Sequence, residues 1–232
     1  MNIYEIKDRL LKQEKAVFSL NEIAKIIGKS KNIAGVYANR MLKKEILFKA
    51  EKNKFTLSED VFVIASQLIF PSYLGFSTAL YLYNIIPQVA DKIYVVSSKK
   101  KRRMKLFGTE IIFVKVGSEL MFGYKKIKKE NSIIFISDIE KTIIDCLSFN
   151  KYCNLLIVVE ALRKADIKKL EYYLSLVNRE YVNRKAGYLL DCLEIRHSIK
   201  RKTNTVYKLN PSRKNNGKFN KKWFLYVNEG LK

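Results

Sequence analysis

The chain holds one histidine and three cysteines in 232 residues. A single histidine cannot build a catalytic triad or the usual histidine-based metal sets, and His197, beside Arg196, reads as a helix-end residue. Cys146, Cys153 and Cys192 form no Cys-x-x-Cys pair and lie in apolar contexts, which argues for core thiols and against a zinc site or disulfide framework. No stretch reaches the roughly 18 uninterrupted apolar residues of a membrane helix. The opening Met-Asn-Ile-Tyr-Glu-Ile-Lys-Asp-Arg also lacks the basic-then-apolar order of a signal peptide. The expectation is therefore a cytoplasmic protein with no membrane partner. A glycine-rich phosphate loop, an internal repeat and long low-complexity tracts are missing too.

Acids suited to catalysis are equally scarce. Asp138 and Glu140 fall within Ser137-Asp-Ile-Glu140, which has the form of a helix-opening capping box, and Asp145 stands five residues beyond Glu140, off its helical face. A restriction-like nuclease would want a second acid where Glu110-Ile-Ile-Phe-Val-Lys115 has Phe113. No enzyme, cofactor or metal is expected, although three acids gathered around one open cleft would reopen the case for a nucleic-acid enzyme.

What the chain has in excess is positive charge: 45 Lys and Arg against 22 Asp and Glu, a formal +23. That balance points to a polyanionic partner. The ordinary alternative is compositional bias or adaptation to heat, but heat adaptation raises Glu together with Lys so that ion pairs form, and here the acids lag. An anionic membrane surface is a third option, and no basic amphipathic helix stands apart from the folded segments to favour it. At 48% hydrophobic and 29% charged the chain has core enough to fold.

Residues 1–58 have a definite order. Ile3, Ile6, Leu10 and Leu11 share one face of a helix over 2–15, and Val17-Phe18-Ser19 is a short strand. Ser19-Leu-Asn-Glu22 is a capping box that opens a second helix, closed at Gly28, and Ser30 caps a third over 31–44. Strands over 45–49 and 54–57 then flank the turn 50–53. Helix, strand, helix, helix, strand, strand is the order of a winged helix-turn-helix, with an expected core of Ile6, Leu10, Ile23, Ile27, Ile33, Val36, Met41 and Leu57. Double-stranded DNA is the partner this order implies.

In the third helix, Ile33, Val36, Tyr37 and Met41 recur at three- and four-residue steps and are expected to pack inward, leaving Lys31, Asn32, Gly35, Asn39 and Lys43 outward. Asn pairs with adenine in bidentate fashion, so Asn32 and Asn39 are candidates for base readout. Lys29, Lys31, Arg40 and Lys43, with the helix start capped by Ser30, suit phosphates. The wing formed by the last two strands and their turn adds Lys49, Lys52, Asn53 and Lys54 for the backbone or the minor groove. The alternative is a module for protein interaction whose charged faces are merely solvated.

A connecting helix over 59–70 leads to a second domain over 71–232, entered at Pro71 and Gly75. Strands are expected at 92–97, 110–116 and 133–137, then helices from Ser137 through Phe149 and over 154–165, 166–178 and 181–195, making an α+β chain. Lys99, Lys100, Lys101, Arg102 and Arg103 form one basic loop, and Lys125, Lys126, Lys128 and Lys129 are read as a second; each is either an extension of the nucleic-acid footprint or a solvated loop. The tail 197–232 is basic with Tyr207, Phe219 and Trp223 interleaved, which suits either nucleic-acid stacking or strands packed on the domain.

Four segments carry a family resemblance. Pro71-Ser-Tyr-Leu-Gly-Phe-Ser-Thr-Ala-Leu-Tyr-Leu-Tyr-Asn-Ile-Ile-Pro87, followed by Lys92-Ile-Tyr-Val-Val-Ser-Ser98, resembles the opening of the antitoxin domain of AbiEi-type abortive-infection systems. Ile136-Ser-Asp-Ile-Glu-Lys-Thr-Ile-Ile-Asp-Cys-Leu147 and Arg184-Lys-Ala-Gly-Tyr-Leu-Leu-Asp191 are similar to its later elements, as is Gly217-Lys-Phe-Asn-Lys-Lys-Trp223 with Asn228 to its closing segment. The chain departs from that family at Tyr83-Asn84, where a histidine-glycine pair is common. The resemblance implies a type IV antitoxin that represses its own operon at promoter inverted repeats and counters a nucleotidyltransferase-type toxin, with or without touching it. A monomer or weak dimer fits that role. A winged-helix regulator with no antitoxin role is the alternative.

Overall fold

The computed structural model describes residues 2–87, 92–129, 132–214 and 217–230. The fold is α+β, with helices and strands interleaved throughout. No described helix is long and apolar enough to cross a membrane.

The first elements are α1 (Ile3–Leu11), β1 (Val17–Ser19), α2 (Leu20–Ile27), α3 (Lys31–Lys43), β2 (Phe48–Glu51) and β3 (Lys54–Thr56). Local hydrogen bonding sets their ends. The Asn2 side chain accepts from the amides of Tyr4 and Glu5 to open α1. At α2, Ser19 and Glu22 exchange side chain and backbone bonds as a full capping box. Gly28 closes that helix at φ 65°, a left-handed conformation that glycine enters without the clash a Cβ brings. The strands pair antiparallel in the order β1-β3-β2. Ile6, Leu10, Phe18, Ile23, Ile27, Met41 and Leu47 form the core beneath, with Leu57 packed at its margin.

The chain continues through α4 (Val61–Gln67), β4 (Ser72–Leu74), α5 (Phe76–Leu82), β5 (Lys92–Ser97), β6 (Met104–Leu106), β7 (Thr109–Lys115), β8 (Tyr124–Lys129) and β9 (Ser132–Ser137). Six of these strands make a mixed sheet in the order β6-β7-β5-β4-β9-β8, with β5 parallel to β7 and β4 antiparallel to β5. Gln67 ties this sheet to the first elements. Its carbonyl oxygen accepts from the Ala16 amide at 2.8 Å, and its amide group donates to the Ile133 carbonyl at 2.6 Å.

Helices α6 (Ile139–Ser148), α7 (Leu155–Leu162), α8 (Ile167–Val177) and α9 (Glu180–Cys192) follow, then β10 (Tyr207–Lys208), β11 (Lys218–Asn220) and β12 (Leu225–Val227) in a small sheet ordered β10-β12-β11. Contacts gather the described residues into two compact units. One takes those within Met1–Leu74, Asp91–Val116 and Lys125–Ile136, so the N-terminal elements share it with the six-stranded sheet. The other takes those within Gly75–Ala90, Gly117–Tyr124 and Ser137–Lys232.

Several expectations are corrected. The helix-opening residue of α6 is Asp138, whose side chain accepts from the Lys141 amide, while the Ser137 hydroxyl bonds that of Thr142 at 2.7 Å. A carboxylate in the cap position outcompetes the neighbouring hydroxyl for the helix-end donors. The lysines at 125–129 lie on strand β8, where a loop was expected. Cys146 is a core thiol, but Cys153 is half-buried and Cys192 exposed. His197 lies five residues past the end of α9, not at its last turn.

Candidate nucleic-acid interface

Helix α3 is presented by its flanks. Ser30 at its start accepts from the Ile33 amide at 3.4 Å, and the α2–α3 connection is the short turn at Gly28. Its buried side is lined by Ala34, Ala38 and Met41, at steps of four and three residues. The expected inward face was different: Ile33 and Val36 stand 43% and 50% exposed, and Tyr37 is half-buried. Apolar residues occur on both sides of this helix, so hydrophobic periodicity alone has two solutions. The small side chains win because they let the α3 backbone lie close to Ile23, Ala24 and Ile27 of α2, where a β-branched residue would hold the helices apart.

The outward surface follows from that rotation. Asn32, Val36, Asn39 and Lys43 form a stripe along the helix, with Ile33 and Arg40 on one flank; all are exposed, as are Lys29, Ser30 and Lys31. The segment from Ile23 to Lys44 contains no acid, so the field over this face is positive. The Arg40 guanidinium lies 6.0 Å over the Tyr37 ring, which narrows its motion.

Hairpin β2–β3 turns at Lys52 and Asn53, and Asn53 adopts φ 60° there. Lys49, Lys52 and Asn53 are exposed. Lys54 is engaged: its ammonium meets Glu51 at 2.7 Å and donates to the Leu68 carbonyl at 2.6 Å. Burial alone would raise the Glu51 carboxyl, but hydrogen bonds from Lys101 and Lys54 outweigh it and hold the group below the usual carboxylate range.

The Glu51–Lys101 ion pair also brings the basic loop to the hairpin. Lys101 is half-buried with its ammonium 5.4 Å over the Phe113 ring, and Phe48 meets Phe107 edge-on at 6.0 Å. Lys99, Lys100, Arg102 and Arg103 remain exposed around that anchor, with Arg103 at 3.5 Å from Glu110. Two groups of residues that are far apart in sequence thus form one basic surface, and sequence reasoning had no local signal for the Glu51–Lys101 link. On β8, Lys125, Lys126 and Lys128 are exposed, whereas Lys129 pairs with Asp60 and lies 4.7 Å over the Phe62 ring.

In the other unit, two of the segments quoted for the resemblance, 184–191 and 217–223, meet each other. Arg184, fully buried, bonds the carbonyls of Thr203, Thr205 and Trp223 and pairs with Glu180 at 2.9 Å. Trp223, buried, donates its indole N–H to Asp191 at 2.6 Å, and Asp191 also receives Lys222 at 2.7 Å and His197 at 3.1 Å. Burial opposes ionisation of Asp191, yet these bonds hold its carboxyl below the ordinary value. The tail tryptophan is therefore a core residue, unavailable for stacking on bases, while Phe219 stays exposed. Asp138 and Glu140 both pair with Lys169, at 2.8 and 3.1 Å, and Asp145 pairs with Lys141. Among the described residues no group of three or more His, Cys, Asp and Glu side chains is placed to hold a metal ion.

No protein-family model matches the chain, and no curated protein matches it.

Proposed function

We propose that this protein is a DNA-binding transcriptional repressor. In this reading the N-terminal elements form a winged helix, α3 enters the major groove, and the β2–β3 hairpin is the wing. The observation that carries it is the acid-free outward face of α3, where Asn32 and Asn39 stand among Lys29, Lys31, Arg40 and Lys43. Lys49, Lys52 and Asn53 extend the contact to the backbone beside the groove, and Lys99, Lys100, Arg102 and Arg103 prolong it through the Glu51–Lys101 link. One chain serves each half of an inverted repeat, as a monomer or weak dimer in solution. The antitoxin role, against a nucleotidyltransferase-type toxin, rests on the resemblance of residues 71–228 to the AbiEi domain.

The test is titration of the DNA upstream of the protein's own gene against a scrambled duplex, at several salt concentrations. Preference for the upstream duplex, lost in Asn32→Ala and only weakened in Lys31→Ala, supports specific readout, with a salt slope of about −0.9 per phosphate contact. Equal binding to both duplexes rejects the repressor reading. Co-expression with a nucleotidyltransferase encoded beside the gene then separates antitoxin from plain regulator: relief of growth arrest supports the first, persistence of arrest the second.

A further inference from the structure

The outward face of α3 carries two aliphatic side chains that the fold leaves about half uncovered. Ile33 and Val36 are half-exposed on a helix whose inward side is already filled by Ala34, Ala38 and Met41. Val36 sits between Asn32 and Asn39 in the central stripe, and Ile33 flanks it beside Arg40. Both are β-branched and stiff about χ1, so little side-chain freedom is lost when they are covered.

What covers them must be apolar locally and anionic around the edge, because five basic residues, Lys29, Lys31, Arg40, Lys43 and Lys44, ring this acid-free surface. The major groove of duplex DNA has that combination. Its floor presents one apolar group, the thymine C5-methyl, between two rows of phosphates. Asn32 and Asn39 have the donor–acceptor pair that fits the N6 and N7 positions of adenine, which makes the neighbouring methyl that of thymine and not of a methylated cytosine.

We infer that α3 reads thymine methyl groups through Val36 and Ile33, next to adenines held by Asn32 and Asn39, so that each half-site is specified by A·T pairs. The inference rests on the DNA-binding reading and adds what that reading lacks, the chemical feature recognised.

The full chain would first select duplexes from a random pool. The selected duplex would then be made twice, with thymine and with deoxyuridine, which pairs identically but has no methyl group. The expected result is about tenfold weaker binding of the deoxyuridine duplex, from two methyl contacts of the usual apolar size. The Ile33→Ala/Val36→Ala double variant should bind the thymine duplex more weakly and bind the two duplexes alike, with a melting temperature within a few degrees of wild type, since alanine's better helix propensity offsets the loss of side chains that are only about half covered. That double variant also controls for the altered stiffness of deoxyuridine DNA. Equal affinity of the unmodified protein for both duplexes overturns the inference while leaving sequence-specific binding intact. Selection of no sequence at all overturns the DNA-reading proposal beneath it.

Discussion

Lys141 and Asp145, four residues apart on α6, form an ion pair whose side chains are 0% and 1% exposed. Removing two charges from water is expensive, and the pair survives because each neutralises the other, with the Lys141 ammonium also 5.3 Å over the Phe122 ring. Breaking one side leaves the other charge buried. Asp145→Ala should therefore lower the unfolding free energy by about 3–5 kcal/mol, whereas Lys141→Met combined with Asp145→Leu should recover most of that loss. Urea midpoints of the three proteins decide it, and a single variant as stable as the double would show that the charges are hydrated.

The Trp223 indole lies so close to Gly187 that a Cβ at that position would overlap its six-membered ring. Helix α9 keeps a glycine there although glycine weakens helices by about 1 kcal/mol relative to alanine. Gly187→Ala should destabilise the protein by roughly 1–3 kcal/mol, the usual range for overpacking. Because Trp223 is the chain's one tryptophan, its emission reports the event directly: a shift to longer wavelength in the variant indicates that the ring has been pushed toward solvent. Unchanged emission and stability would mean that the tail strands move aside freely.

Legibility in the sequence followed the range of the interaction. The Ser19–Glu22 box, the Gly28 turn and the Ser30 cap involve residues within four positions of one another, and each is found where local hydrogen-bond chemistry puts it. The strands β5 and β9 were readable as apolar runs, and three-residue β1 was marked by the Ser19 cap at its end, but β4 and β6 are as short and carry no such mark. The facing of α3 was ambiguous because Ile33, Ala34, Val36 and Ala38 are all apolar, and the choice depends on how near α2 lies. The Glu51–Lys101 pair spans 50 residues and had no signal at all. Asn32, Asn39 and the surrounding cations were legible as types in a spacing; the link between the basic loop and the β2–β3 hairpin was not.

Acid should weaken the first unit through Glu22. Burial would raise its carboxyl, but hydrogen bonds from Lys15 and Ser19 and the Lys15 charge dominate, lowering its pKa from 4.5 to about 2. A carboxyl with a depressed folded pKa binds protons less readily in the native state than in the unfolded one. Its stabilising contribution is thus complete above about pH 4.5 and is lost as the pH falls toward 2. Thermal unfolding from pH 7 to pH 2 should show wild type losing its advantage over Glu22→Gln within that window. A difference between the two that is constant across it would show that the carboxylate charge contributes nothing. The effect is small, as the side chain is partly exposed and solvent screens it.

Gly35 separates folding from binding. It stands at the edge of the outward face of α3, one turn from both Asn32 and Asn39, and an added Cβ would meet only the Leu20 side chain, at the ordinary contact distance of 4.0 Å. Packing against α2 therefore gives no reason for glycine, and its φ is not left-handed. An alanine here should stabilise the helix by about 1 kcal/mol. Under the DNA-binding proposal the glycine allows the backbone to approach the groove, so the same methyl should weaken binding to the selected duplex. Gly35→Ala should thus melt higher and bind more weakly, a pairing that damage to the fold cannot produce. Binding as tight as wild type would place the α3 backbone too far from the groove for a methyl to matter, leaving the long side chains of Arg40 and Lys43 to span the gap.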